Sequence, residues 1–260
     1  MAKYNALIVG CGNMGCLNDA PGSGNEHKTI SYAKALKENG NFEIWAYDKS
    51  VDKERKAYAF WDTRTDICLE YDVIIIATPD DTHYYNLLAL SLYSYKPKLV
   101  ICEKPLCMTS VEVKEVIKFY EDRKIPILVD YTRRFIPEYQ QLKAEHGKAV
   151  HGYCRFNRGM LHTGTHALDI FNYFGVPRQC MDIHEFMSEE ILRFWALRIL
   201  FEDGYVFREQ RIGNDPVPAR FDHHTRYVID NAYNFLEGKE ELKCTMYDGL
   251  KALELMEELI

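Results

Sequence analysis

The 260 residues carry a formal net charge of -7 and are 47% apolar, 13% aromatic and 27% charged, a balance that fills an ordinary core and excludes a long disordered or low-complexity chain. Lysine and arginine are scattered, so no basic face is offered to a phosphate backbone and nucleic acid is excluded as a partner. The length suits two ordinary domains, and the opening run ALIVG is too short for a secretory core or a membrane span, which points to a cytoplasmic chain with no membrane partner.

From Tyr4 the chain alternates short β-rich apolar runs with helical patterns, as a parallel sheet with crossover helices requires. Strands are predicted at 4–10, 42–48, 72–78, 97–103 and 125–131, and helices at 31–40, 83–94 and 109–123. Ser110 is the expected N-cap of the last helix, with Glu112 and Glu115 near its positive end. After residue 130 the texture changes to half-buried alternation at 151–157, 181–187, 193–204 and 205–213, the mark of a mostly antiparallel sheet. Helical spacing interrupts it at 165–175 and closes the chain at 246–259. The expected fold class is α/β, with a doubly wound parallel Rossmann domain over 1–130 and a second α/β domain with a mostly antiparallel open sheet over 131–260. Eight cysteines are spread along the chain. Cys11/Cys16 and Cys102/Cys107 have C-x4-C spacing but straddle strand-to-loop corners, so free thiols without zinc are expected.

The first predicted strand runs into Gly10-Cys11-Gly12-Asn13-Met14-Gly15, a G-x-G-x-x-G in the strand-to-helix setting of a dinucleotide fingerprint. Gly10 suits the tight turn, Gly12 lets backbone approach a pyrophosphate, and Gly15 allows close packing, while the N–H groups that follow, from Asn13 and Met14, face the anion. Asp48 ends the second strand, where a carboxylate accepts ribose hydroxyls and repels a 2′-phosphate; NAD is favoured over NADP, although Lys49 and Lys53 are near enough in sequence to meet a phosphate. The polar segment 18–28 lengthens the interval between Gly15 and Asp48. It reads equally as a lid with His27 reaching inward or as a plain surface loop. The corner Ala77–His83, with Thr78 and Pro79, should border the ribose and nicotinamide, and His83 caps or orients that loop. Glu103 and Lys104 follow the apolar run LVIC, at a strand end where ligands bind in such sheets.

GCGNMG, ATPDDTH, CEKPL, YTRRF and GTHALD occur in that order, and together they resemble the glucose-fructose oxidoreductase / inositol dehydrogenase / MocA family. The resemblance implies a Rossmann domain followed by an α/β domain for substrate binding and oligomerisation. It implies that Lys104 meets both nicotinamide ribose and substrate hydroxyl, that His166 approaches the same hydroxyl, that Glu103 lies near the cofactor, and that the Lys104–Pro105 peptide is cis. The chemistry asks for the same parts, because oxidising a secondary alcohol needs a hydride acceptor, a base and donors that hold the oxygen. Burial beside a nicotinamide cation would depress the Lys104 pKa.

One position departs from the family. The aspartate usually found four residues before the histidine is His162 here, sharing a face with His166 and acting as acid or as a ligand for substrate anions. The His-x3-His pair lacks a third ligand at a diagnostic spacing, so no metal is expected. Tyr131 and Thr165 are candidates to line the pocket. Arg133 and Arg134 bind an anionic substrate group or form an interdomain ion pair, and Asp169 orients its helix. The chain is also short for the family, with the deficit between 176 and 240 and fewer sheet strands expected. The expected activity is NAD-dependent oxidation or reduction of a sugar, nucleotide sugar or cyclitol, in a homodimer or homotetramer, with surface-polysaccharide sugar synthesis as a setting. The rival reading is a non-catalytic sensor of NAD and sugar; a redox-assisted glycoside hydrolase lacks the longer elements it would need.

Overall fold

The computed structural model describes residues 4–64, 70–91, 94–186, 194–213 and 218–259. Cys68, and the predicted element ends at Leu92, Tyr93, Met187 and Arg193, lie outside the described residues. Five strands, β1 (Tyr4–Val9), β2 (Phe42–Tyr47), β3 (Val73–Ile76), β4 (Leu99–Glu103) and β5 (Ile127–Asp130), form a parallel sheet in the order β2-β1-β3-β4-β5. Every residue of β3, β4 and β5 is buried, which is why these strands read as unbroken apolar runs: helices cover both faces. A single parallel bridge from Trp45 to Arg64 continues the sheet beyond β2. The strand order reverses between β1 and β3, and a ligand crevice opens at the carboxyl ends flanking such a switch point.

Helices α1 (Tyr32–Asn39), α2 (Val51–Trp61), α3 (His83–Ser91) and α4 (Ser110–Arg123) make the crossovers. Helix α2 is absent from the sequence expectation, because only Ala57 and Trp61 of its eleven residues are buried and so little apolar stripe is left to see. The cap of α4 lies one residue upstream of Ser110: Thr109 and Glu112 form a capping box, and the Ser110 N–H instead donates to Glu257.

The glycine corner enters a single π-helical turn, Asn13–Leu17, before the chain leaves the sheet. Buried Asp19 then closes the excursion, its carboxylate accepting the N–H groups of Ile30 at 2.6 Å and Ser31 at 2.9 Å. Two chain ends are thereby stapled at the start of α1, and the polar segment bulges without disturbing the helix behind it.

Helices α5 (Pro137–His146) and α6 (Thr165–Phe174) pack on one face of a second sheet, β6 (Ala149–Phe156), β7 (Met181–Glu185), β8 (Phe194–Phe201) and β9 (Val206–Ile212). Its order is β7-β6-β8-β9, antiparallel except for β6 with β7. Gly152 in β6 is required by that packing, since a Cβ there would lie 2.6 Å from the Phe171 ring. The last two helices, α7 (His224–Leu236) and α8 (Met246–Glu257), return to the first sheet: Val228, Ile229, Ala232, Met246, Ala252 and Leu253 join its core. No helix among the described residues is long and apolar enough to cross a membrane.

Candidate active site

The carboxyl ends of β1, β2, β3 and β4 open onto one cavity of 1240 Å³ that runs from Asp48 past Lys104 to the second sheet. At its near end the three glycines divide the work. Gly10 sits at φ +101°, and a Cβ there would come within 2.5 Å of the Ala77 carbonyl oxygen. A Cβ on Gly15 would lie 1.9 Å from the Gly10 carbonyl oxygen. These two glycines allow backbone to touch backbone. Gly12 is different, because a Cβ there would meet nothing within 4 Å; with Asn13 and Met14 it borders the cavity.

Asp48 is held at the cavity wall by the N–H groups of Cys11 and Ser50, each at 2.8 Å. Lys49 and Lys53 share that wall, as do Thr78 and Pro79. His83 does not: it is fully buried, with one ring nitrogen 2.8 Å from the Pro105 carbonyl and the other 2.9 Å from that of Thr78. It orients the loops after β3 and β4 instead of meeting a cofactor. Asn18, Asn25 and Lys28 of the polar segment line the cavity, whereas His27 is exposed and off the wall. Lys28 pairs with Asp222 at 3.1 Å, and the Thr29 N–H donates to the Asp222 carbonyl at 2.7 Å, tying this segment to the turn before α7. An open glycine loop, a fixed carboxylate and a cavity of 1240 Å³ that reaches from Asp48 to Lys104 fit a dinucleotide.

At the centre the end of β4 delivers two charges from a buried sheet. The Lys104–Pro105 peptide is cis. Glu103 lies opposite Asp130 at the end of β5, and the Tyr32 hydroxyl bridges them at 3.0 and 2.8 Å. A hydroxyl has one proton to donate, so both bonds form only when one carboxyl is itself protonated. Burial, reinforced by the Asp130 charge, accordingly pushes the Glu103 carboxyl up to about 8. Lys104, 8% exposed, turns its ammonium to His162, with Nζ 3.2 Å from both the ring Nδ1 and the carbonyl oxygen. Burial lowers the Lys104 pKa, while Glu103, Asp80 and Asp130 oppose that shift. His166 joins them on the wall; burial and then the Lys104 charge press its ring well below the usual histidine range, so it stays neutral. The Tyr131 ring meets His166 edge-on at 5.8 Å.

At the far end Arg133 pairs with Glu209 at 2.8 Å and lies 4.2 Å over the Trp195 ring. Although burial opposes it, the Arg133 guanidinium and a bond from the Tyr139 hydroxyl hold the Glu209 carboxyl below its usual range. Arg133 is therefore held in an ion pair, although its partner lies within the same expected domain, 131–260, and not across the domains, and its charge is already matched. Arg134 is likewise engaged, with Asp169 at 2.8 Å and Asp248 at 2.7 Å. Tyr131 and Thr165 are not on the wall: Tyr131 stands behind His166, and the buried Thr165 hydroxyl donates to the Leu161 carbonyl at 2.7 Å.

Sequence reasoning missed Asp80, Tyr32, Asp130 and the wall of Phe194, Trp195 and Glu209. Only Asp80 carried a signal, since it belongs to the ATPDDTH corner. Among the described residues, no three His, Cys, Asp or Glu side chains are grouped to hold a metal ion. Cys102, Cys107 and Cys16 are buried, and burial holds the first two thiols above their ordinary range.

The profile of an oxidoreductase family with an NAD-binding Rossmann fold, GFO_IDH_MocA, matches residues 4–131. The rhizopine catabolism protein MocA of Rhizobium meliloti is 26% identical over 150 residues, covering 55% of this chain and 42% of that protein. The alignable stretch thus spans less than half the length of this curated relative. Among solved structures, UDP-N-acetylglucosamine 3-dehydrogenase GnnA from Acidithiobacillus ferrooxidans superposes with a TM-score of 0.68 at 13% identity, covering 100% of this chain and 97% of that one. The WlbA dehydrogenase from Bordetella pertussis, in complex with NADH and UDP-GlcNAcA, gives a TM-score of 0.64 at 16% identity, covering 98% and 94%. At these identities the likeness is one of fold, and it takes in both sheets. Residues 4–131 thus match the glucose-fructose oxidoreductase / inositol dehydrogenase / MocA family of oxidoreductases, and the first sheet has the NAD-binding Rossmann fold that the family's profile describes.

Proposed function

We propose that this chain is an NAD-dependent dehydrogenase or reductase acting on a secondary hydroxyl or keto group of a sugar, nucleotide sugar or cyclitol. The observation that carries the reading is the amine of Lys104, desolvated at the end of β4 and facing the cavity between the glycine corner and the second sheet, with His162 at 3.2 Å. Gly12, Asn13 and Met14 would hold the pyrophosphate, Asp48 a ribose, and Thr78 and Pro79 the nicotinamide side. Bound NAD supplies the hydride acceptor.

The chain's own residues handle the proton and the oxygen. Burial favours the neutral amine of Lys104, which takes the hydroxyl proton at Nζ as the carbonyl forms; in reduction its ammonium returns it. Neutral His166 holds the same oxygen by a hydrogen bond and has little tendency to carry charge. The Tyr32-bridged pair of Glu103 and Asp130 holds a proton in the folded state, which limits the negative charge behind Lys104 and so keeps its amine available. Trp195, Phe194 and the matched Arg133–Glu209 pair offer a ring face and hydroxyl partners without a net charge, which suits a sugar or cyclitol ring.

Surface-polysaccharide sugar synthesis is the setting that suits a nucleotide-sugar substrate, in the cytoplasm, with the outer face of the second sheet as the surface for a homodimer or homotetramer. The test is the absorbance of reduced nicotinamide when the protein and NAD meet a panel of sugars, nucleotide sugars and cyclitols, or when reduced NAD meets their keto forms. Turnover with at least one is expected. A protein that binds NAD and stabilising sugars but reduces and oxidises nothing in the panel is a sensor, and the enzyme reading fails.

A further inference from the structure

The Nδ1 atom of His162 stands 3.2 Å from two groups of opposite character, Lys104 Nζ and Asp80 Oδ2. One ring nitrogen does not accept from an amine and donate to a carboxylate at the same moment. With Nδ1 bare, Lys104 donates to it. With Nδ1 protonated, that bond runs to Asp80, and Lys104 keeps its bond to the His162 carbonyl at 3.2 Å. The two arrangements differ by a proton, with each partner already in reach.

Exposure rises along this chain of groups. Lys104 is 8% exposed, the Asp80 side chain 34% and the His162 side chain 57%. Partial burial would raise the Asp80 carboxyl, but its bond to His162 and the Lys104 charge hold it below the usual carboxylate range, so a negative charge faces the ring at neutral pH. His166 is a poor depot by comparison, being pressed toward neutrality by burial and the same lysine. Among the described residues, the charged and titratable groups seen to act on His162 include Lys104 at the end of β4, Asp80 on the corner after β3 and His166 on α6.

We propose that His162, with Asp80 as its counter-charge, carries the proton between Lys104 and solvent. The inference rests on the dehydrogenase reading above. In oxidation, the N–H bond of the Lys104 ammonium breaks as the Nδ1–H bond of His162 forms, and the lone pair returns to Nζ. The resulting imidazolium faces the Asp80 carboxylate and releases its Nε2 proton to water, the N–H electron pair staying on the ring. One proton has left the substrate oxygen and one has reached solvent, as oxidation of an alcohol by NAD requires. In reduction the steps reverse. The exposed ring re-forms its starting tautomer by exchange with water. The carboxylate that the family resemblance places at position 162 is thus supplied from a different loop, 82 residues away in sequence.

Two readouts test this. Ring-nitrogen NMR shifts of histidine-labelled protein without cofactor or substrate are compared for wild type, Asp80→Asn and the exposed neighbour Asp81→Asn; Asp80→Asn should move His162 away from the Nδ1–H tautomer, and Asp81→Asn should leave its tautomer balance unchanged. In turnover, His162→Ala should lower kcat by about 100-fold at unchanged NAD affinity, and added imidazole should restore it in proportion to its concentration. A His162 tautomer balance indifferent to Asp80→Asn, or wild-type turnover in His162→Ala, overturns the relay while leaving the dehydrogenase intact. A wild type that turns over no substrate overturns the dehydrogenase itself, and the relay with it.

Discussion

Replacing Gly12 and Gly15 by alanine separates the part of the glycine corner that meets a ligand from the part that meets the protein. At Gly15 the new Cβ would lie 1.9 Å from the Gly10 carbonyl oxygen and 3.4 Å from Ile8 Cγ2. The nearest atom is backbone, so the π turn must lift off β1; overpacking of this kind costs about 1–3 kcal/mol. At Gly12 the Cβ meets nothing within 4 Å, and the residue's φ of -73° and ψ of -158° suit alanine. Gly12→Ala should therefore fold as well as wild type, or be more stable by about 0.4–1 kcal/mol through a less disordered unfolded chain. The open side of Gly12 is where the pyrophosphate must approach. If the methyl costs the bound state the same 1–3 kcal/mol, the Kd for NAD rises roughly 5- to 150-fold. Urea denaturation reads the first quantity and NAD titration the second. A Gly12→Ala protein with wild-type stability and wild-type NAD affinity would refute the placement of the pyrophosphate.

Two further outcomes follow from the charges at the site. Burial, with the Asp130 charge beside it, pushes the Glu103 carboxyl up to about 8 in the fold from its ordinary 4.5, so the folded chain holds a proton that the unfolded chain releases. Its contribution to stability is fully present below pH 4.5 and is lost as pH rises through 8; Glu103→Gln should flatten the denaturation midpoint over that window, and an unchanged pH dependence would count against the buried carboxyl pair. Asp48→Ala removes the carboxylate that faces the ribose while leaving Lys49 and Lys53 on the wall, so the ratio of NADP to NAD affinity should rise about tenfold or more, as expected when a charged repulsion of about 1.4 kcal/mol is removed. A ratio equal to that of wild type would mean that the adenosine ribose sits elsewhere.

Much of the first half was legible because its signals are local. Apolar runs bounded by Gly10, Asp48, Thr78 and Glu103 read as strands within one or two residues of β1 to β4, and the glycine spacing requires no knowledge of distant neighbours. What escaped lies where burial depends on the other half of the chain. Helix α7 has buried residues at Thr225, Val228, Ile229 and Ala232, a helical recurrence that β-branched and aromatic neighbours obscured; α5 buries only Tyr139 and Leu142. At the site, Lys104, His162 and His166 could be placed from their motifs, whereas the contacts that set their chemistry could not. Asp80 meets His162 across 82 residues, and Tyr32 meets Asp130 across 98. His83 orients its loop, as its place in the motif implied, but that its ring turns inward to two carbonyls and leaves the cavity wall was not legible locally.

The central claim, that Lys104 is the acid and base of a dehydrogenase, is met most directly by the turnover of Lys104→Ala beside its NAD affinity. Loss of a positioned proton-transfer group predicts a fall in kcat of about 10²- to 10⁴-fold with NAD bound as tightly as in wild type to within a few-fold. A Lys104→Ala protein that turns over at the wild-type rate would contradict the account.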